Sequence, residues 1–188
     1  MRIVAGKHRS RRLIAPPGLA VRPTAARARE ALFSMLSHGR IGGRDVPALA
    51  GAAVLDVFAG TGAFGFEAIS RGAASATFVD NALVATKTVA RNAEALKENA
   101  ACDIRRVNAL QPGPAPRAHD IAFLDPPYGK GLGAPTLAAL AAAGWLAPGA
   151  LAIVEMGADE SFARPAGFDL LDERRHGAAK LVFLTDAR

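Results

Sequence analysis

Apolar residues along this chain recur in two periods, and their succession predicts alternating strands and helices. Residues 53–58 (AVLDVF) form an apolar run that ends in a glycine turn, as a buried parallel strand does. A helix is expected over 63–70, stopped by Gly72. Residues 75–80 (SATFVD) read as the next strand. Asn81 is placed to cap a long helix to about residue 99, along which Ala82, Val89, Ala93, Leu96 and Ala100 fall at helical spacing. Strands over 102–107 and 119–124 follow, separated by a Pro-rich loop at 111–116. A helix near 134–143 and strands near 149–155, 168–175 and 179–185 complete this part. His176 and Gly177 separate the last two, which suits an antiparallel hairpin at a sheet edge.

The opening of the chain is patterned differently. Residues 2–5 and 11–15 read as two short strands of a basic hairpin, ended by Pro16, Pro17 and Gly18. Thr24 suits the N-cap of a helix to about residue 37, with Ala28, Leu32, Met35 and Leu36 on its apolar side. The stretch 39–52 reads as a linker. The pattern therefore predicts an open, doubly wound, Rossmann-like α/β sheet with a C-terminal antiparallel hairpin and a small N-terminal β-hairpin/helix extension. Two units are expected: a basic extension over 1–44 and an α/β body over 45–188.

Charge sharpens that division. The chain carries a net +6, yet residues 1–44 hold ten Lys or Arg against one acid, Glu30, so the remainder is mildly acidic. A basic arm on an acidic body points to a polyanion partner. Lys7, Arg9, Arg11 and Arg12 are the candidate phosphate contacts. Membrane binding is not expected, because the arm lacks an amphipathic helix rich in large apolar residues and no run of eighteen apolar residues exists. The N-terminus lacks the apolar segment of a secretory signal. Cys102 is the only cysteine, which fits a reducing cytoplasm. The four histidines are scattered without cysteine companions, so no metal site is expected.

The candidate chemistry falls at the expected strand ends. Gly60, Gly62 and Gly65 spell G-x-G-x-x-G, a turn that lets a ligand approach bare backbone. Asp56, four residues before Gly60, suits a cationic ammonium and is a poor neighbour for a pyrophosphate. S-adenosylmethionine carries an ammonium and a sulfonium, so it fits better than a nicotinamide dinucleotide. Asp80, ending the next strand, is placed to accept ribose hydroxyls. Asn108 could meet an adenine edge, backed by Ala109; a plain turn residue is the competing reading.

Asp125-Pro126-Pro127-Tyr128 is the most specific signal. The exocyclic amine of a nucleobase is a weak nucleophile because its lone pair is delocalised. The Asp125 carboxylate and the Pro126 carbonyl could accept its two hydrogens and orient it toward a methyl donor. The prolines stiffen the turn, and Tyr128 offers a face for an unstacked base. Lys130 is a further candidate phosphate contact. Phe64, Phe66 and Trp145 read as core.

Together these residues resemble the class I methyltransferases that act on amino groups through (Asp/Asn)-Pro-Pro-(Tyr/Phe). The chain most resembles the RsmD family, through MRIVAGKHRSRRL, Arg22-Pro23-Thr24 with Arg29-Glu30, DVFAGTGAFGFEAISRGA, FVDNA and DPPYGKG. That resemblance implies a cytoplasmic, monomeric enzyme using S-adenosylmethionine to methylate guanine N2 of 16S rRNA in an assembling small ribosomal subunit. It puts Asp125, Pro126 and Tyr128 at catalytic and base-holding positions. Asp56, Phe58, Ala59, Gly60, Gly62, Asp80, Asn108 and Ala109 take the cofactor positions, and Arg22 joins the RNA-binding set. Ser10 stands where a glycine is common in the family, which leaves the arm's turn open. The competing functions are a DNA adenine or cytosine methyltransferase, a protein glutamine methyltransferase, a nicotinamide oxidoreductase, and a noncatalytic ribosome-binding protein of this fold.

Overall fold

A computed structural model describes residues 1–15 and 23–188, the second stretch with side chains from Arg29 onward. Helix α1 (Pro23–Ser37) leads into a small antiparallel ribbon of β1 (Arg40–Ile41) and β2 (Arg44–Asp45). The body then runs β3 (Ala53–Val57), α2 (Ala63–Ser70), β4 (Ser75–Asp80), α3 (Leu83–Leu96), β5 (Cys102–Arg106), β6 (His119–Leu124), α4 (Gly133–Ala142), β7 (Leu146–Gly157), β8 (Phe168–His176) and β9 (Ala179–Asp186). Seven of the strands form one sheet in the order β5-β4-β3-β6-β7-β9-β8. Pairings from β5 through β7 are parallel; β9 and β8 join antiparallel at the edge. The doubly wound sheet and its terminal hairpin thus take the expected form.

Strand alternation assigns the core. Leu55, Val57, Ala122, Leu124, Ala152 and Val154 face α4, with Leu137 and Leu140 packed on them. Val54, Ile121, Phe123, Leu151 and Ile153 face the other way, toward α2 and the Leu32, Phe33 and Leu36 face of α1. Ala76 and Phe78 of β4 meet Val89, Ala93 and Leu96 of α3 in a third cluster. Phe64, Phe66 and Trp145 are all buried, as their spacing suggested. The Trp145 indole donates to Gly113 O at 2.9 Å and so pins the Pro-rich loop.

Several local expectations are corrected. The arm folds back as a hairpin, with Ile3 N donating to Arg11 O and Ser10 N to Ile3 O, but Arg2 and Arg12 form its one β-bridge. Neither expected strand develops, because the arm spends its polar groups on α2 instead. Glu67, 1% exposed, accepts from Val4 N (2.7 Å) and Ala5 N (3.0 Å). Ser70 Oγ accepts from His8 N. Gly6 lies so close that a Cβ there would sit 1.8 Å from Ser70 O. Ser10 holds a φ of 66°, the conformation a glycine would hold without strain. The stretch read as a linker contains the β1–β2 ribbon, turned by Gly42 and Gly43 at positive φ. Helix α3 is capped at Ala82 rather than Asn81, and it ends at Lys97 in a left-handed conformation rather than near 99. Asp80 Oδ1 accepts Ala82 N at 2.9 Å just ahead of the helix, and the N-cap itself makes no side-chain bond.

The strand order reverses beside β3: the chain moves outward through β4 and β5, then returns to β6 on the other side. Ligands of such sheets bind beyond the strand ends at this crevice. Asp56 of β3, Asp80 of β4 and Asp125 after β6 all stand at that end.

Candidate active site

Asp56 is 3% exposed, and its side chain lies on the α2 side of the sheet. Its Oδ2 accepts Gly65 N at 2.9 Å in the first turn of α2. The carboxylate thus does cap that turn, the plain structural role open to it from sequence. A cap does not account for its electrostatics. Burial, with Asp125 and Asp80 adding like charge, pushes its pKa up to about 8, although the Gly65 bond and Arg29 act the other way. An acid buried in this way gains from a cationic group, which favours its ionised form.

The glycine turn joins β3 to α2, whose Gly65 N bonds this acid. Phe58 (φ 60°), Gly60 (φ 54°) and Gly62 (φ 76°) share positive φ, and for Phe58 that conformation is strained. The Phe58 ring packs on the α4-side core. Ala59 is buried, and its N–H donates to Val79 O, tying the turn to β4. Asp80 Oδ2 accepts Gly60 N at 3.0 Å. Both Asp80 oxygens are therefore oriented by backbone, and a carboxylate retains further lone-pair capacity for hydroxyl donors. Asn108 is exposed, and its Oδ1 accepts Leu110 N at 3.0 Å. The turn role left open for it is therefore present. Ala109 is buried in the core behind it.

Asp125 is exposed, while its backbone N donates to Val57 O at 3.3 Å and so holds the loop start against β3. Pro126 is buried, Pro127 exposed and Tyr128 half-buried. Two glutamates that sequence reading missed secure this turn. Tyr128 Oη donates to Glu155 Oε1 at 2.7 Å. Glu160 Oε1 accepts both Gly129 N (2.8 Å) and Gly157 N (2.9 Å), clasping the turn to the end of β7. Glu155 had one legible signal, an acid ending an apolar strand; Glu160 had none. A cleft of about 240 Å³ opens beside the turn, lined by Pro127, Tyr128, Leu132, Met156 and Phe162 among others.

The proposed RNA contacts separate into two kinds. Lys7 Nζ pairs with Glu98 at 2.7 Å, and Arg11 Nη2 donates to Ala95 O at 2.9 Å. Both hold the arm to α3. Lys7, Arg9, Arg11 and Arg12 are all exposed, as is Lys130. Arg22 lies outside the described residues. No His, Cys, Asp and Glu cluster suited to a metal occurs among the described residues. No helix among them is long and apolar enough to cross a membrane.

Comparison with known proteins places the chain among relatives of this architecture. The family described as conserved hypothetical protein 95 matches residues 1–185. Ribosomal RNA small subunit methyltransferase D of Escherichia coli K12 is 36% identical over 184 residues, covering 94% of this chain and 85% of that protein. The solved structure of yhhF from Escherichia coli is 34% identical with a TM-score of 0.80, covering 99% of this chain and 97% of that one. A solved Haemophilus influenzae structure is 29% identical with a TM-score of 0.79, covering 100% and 98%. The sheet order and its hairpin edge are those of the class I methyltransferase fold.

The Glu160 clasp generates a test of the turn. Glu160→Ala should speed amide exchange at Gly129 and Gly157, measured by hydrogen–deuterium exchange. Methyl transfer should slow by about tenfold to a hundredfold through misplacement of the turn, with the melting temperature nearly unchanged. Unaltered exchange at Gly129 would show that the clasp does not hold the turn.

Proposed function

The chain belongs to the conserved hypothetical protein 95 family and is an RsmD-like, S-adenosylmethionine-dependent methyltransferase, and from that premise we propose that it methylates the exocyclic N2 of a guanine in 16S rRNA. The observation that carries the proposal is the convergence of three carboxylates, Asp56, Asp80 and Asp125, on the switch point of the sheet. A relative named for small-subunit ribosomal RNA, at 36% identity over 94% of the chain, supports the choice of substrate.

The residues fit the cofactor by the chemistry of their side chains. Asp56 receives the ammonium, and Asp80 receives the ribose hydroxyls with its oxygens oriented by Gly60 N and Ala82 N. Gly60 and Gly62, with Phe58 and Ala59, form the turn against which the ligand lies; Asn108 and Ala109 border the adenine. When bound, S-adenosylmethionine supplies an electrophilic methyl group on a sulfonium.

The chain's own groups prepare the nucleophile. Asp125 and the Pro126 carbonyl accept the two amine hydrogens, so the nitrogen lone pair turns out of conjugation and toward the methyl carbon. Tyr128 supports the ring of the unstacked base, with its hydroxyl anchored on Glu155. Asp125 lies exposed at the loop and takes the proton that the methylated nitrogen releases. Holding and orientation supply the rate enhancement. Residues 1–44 act as the RNA-holding extension of a catalytic body over 45–188. Lys7, Arg9, Arg11 and Arg12 are its phosphate contacts, with Arg22 in the same set, and Lys7 and Arg11 also brace the arm.

Purified protein should transfer labelled methyl groups to undermethylated small ribosomal subunits, and nucleoside mass spectrometry should find N2-methylguanine. Asp125→Ala should reduce turnover by a thousandfold or so, about 4 kcal/mol of transition-state stabilisation, while cofactor affinity stays the same. Label found only in N6-methyladenine, in DNA or in protein would overturn the substrate assignment.

Neutralising the arm gives a second test. Replacing Arg9 and Arg12 by Gln should weaken RNA binding and reduce the slope of log affinity against log salt by about 1 to 2, with cofactor affinity unchanged. An unaltered salt slope would remove these two cations from the RNA interface.

A further inference from the structure

Arg29, on α1, is a half-buried cation. From α1 its guanidinium reaches the arm backbone at Arg2 O and feels the charges of Glu67 on α2, Asp56 on β3 and Glu155 on β7. Its Nη2 donates to Arg2 O at 3.0 Å, but its Nε is buried and has no hydrogen-bond acceptor among the described residues. An orphaned guanidinium donor in a buried position is costly and marks a place where an acceptor belongs. The charges that act on Arg29 are Glu67, Asp56, Glu155 and Arg71. Glu67 is already taken by Val4 N, Ala5 N and Arg71 Nε. Glu155 holds the Tyr128 hydroxyl, and Asp56 holds Gly65 N. Burial without a close partner pulls the Arg29 pKa below its ordinary value.

The chemistry of Asp56 supplies the missing acceptor. If Asp56 receives an α-ammonium, a carboxylate comes with it, attached to the same carbon. That carboxylate would meet only acids unless a cation stood nearby. Among the described residues, Arg29 is a positive charge that favours the ionised form of Asp56. We propose that Arg29 is the receptor for the carboxylate of the cofactor's amino-acid end, so that Asp56 and Arg29 together read a zwitterion. The assignment rests on the cofactor reading given above. Through Arg2 O the same side chain bridges the basic arm to the cofactor, so the arm is positioned by a residue that touches the ligand. A guanidinium suits this role because its planar fork meets both carboxylate oxygens.

Titration calorimetry with three unreactive or truncated ligands tests the assignment. S-adenosylhomocysteine carries both charges, decarboxylated S-adenosylmethionine lacks the carboxylate, and methylthioadenosine lacks the whole amino-acid end. Arg29→Gln should weaken S-adenosylhomocysteine by about tenfold to a hundredfold and leave the other two within about twofold. Arg29→Lys should restore part of the loss and guards against a folding defect in the Gln variant. If Arg29 only braces the arm, Arg29→Gln would weaken all three ligands alike and speed amide exchange over residues 1–15, and the proposal fails. If wild-type protein bound none of the three, the cofactor reading itself would fall and this inference with it. Equal affinity of wild type for the ligands with and without the carboxylate would overturn the inference while leaving that reading intact.

Discussion

A carboxylate buried beneath a glycine turn, with two more acids beside it, is the constraint around which this fold is arranged. Asp56 is 3% exposed at the end of β3, and Asp80 and Asp125 add negative charge to its surroundings. In the ligand-free protein the result is a carboxyl group whose pKa is pushed up to about 8 from an ordinary 3.8. The unfolded chain ionises this group near its ordinary value. The folded chain therefore holds an extra proton between about pH 4 and pH 8, and the linked stability is lost as pH rises through that window. A cation seated at Asp56 reverses the sign of the problem, because it favours the ionised form. The strained site is in this sense prepared for its ligand.

The neighbouring elements hold that arrangement in place. Asp80 ties the glycine turn to the start of α3, and Val57 O ties the Asp-Pro-Pro-Tyr turn to β3. Glu155 of β7 and Glu160 just beyond it secure the far side of that turn. The arm is bound to α2 through the buried Glu67 and to α3 through Glu98 and Ala95 O. Polar bonds of this kind fix positions that apolar packing alone leaves loose. The arm thereby packs against α2, the helix whose Gly65 N is held by Asp56.

Much of this was legible in the residues. Buried parallel strands announce themselves as apolar runs, and the acids at their ends stand out because a charge there needs a reason. Asp56, Asp80 and Asp125 stand out in that way, and the structure sets all three at one end of the sheet. The arm was misread because Ile3 and Leu13 alternate like strand residues, yet both are buried against α2 and α3. Backbone groups that a strand would pair are spent on Glu67 and Ser70, and nothing local encodes a partner some sixty residues away. The ribbon at Arg40–Asp45 is too short to show a period. Asn108 could be read as ligand or turn, and its bond to Leu110 N shows the turn at work. Glu160 was missed because a single charge in a loop resembles a solvated surface until its neighbours are known.

Proton release on cofactor binding tests the central claim most directly. Calorimetric titration of S-adenosylhomocysteine at pH 7, in buffers of different ionisation enthalpy, should show about one proton released per ligand bound, since a group with a pKa near 8 is mostly protonated there. Asp56→Asn should abolish the release. Binding without any release, with an affinity that stays flat from pH 6 to about pH 8, would contradict a buried, protonated Asp56 as the receptor for the ligand's positive charge.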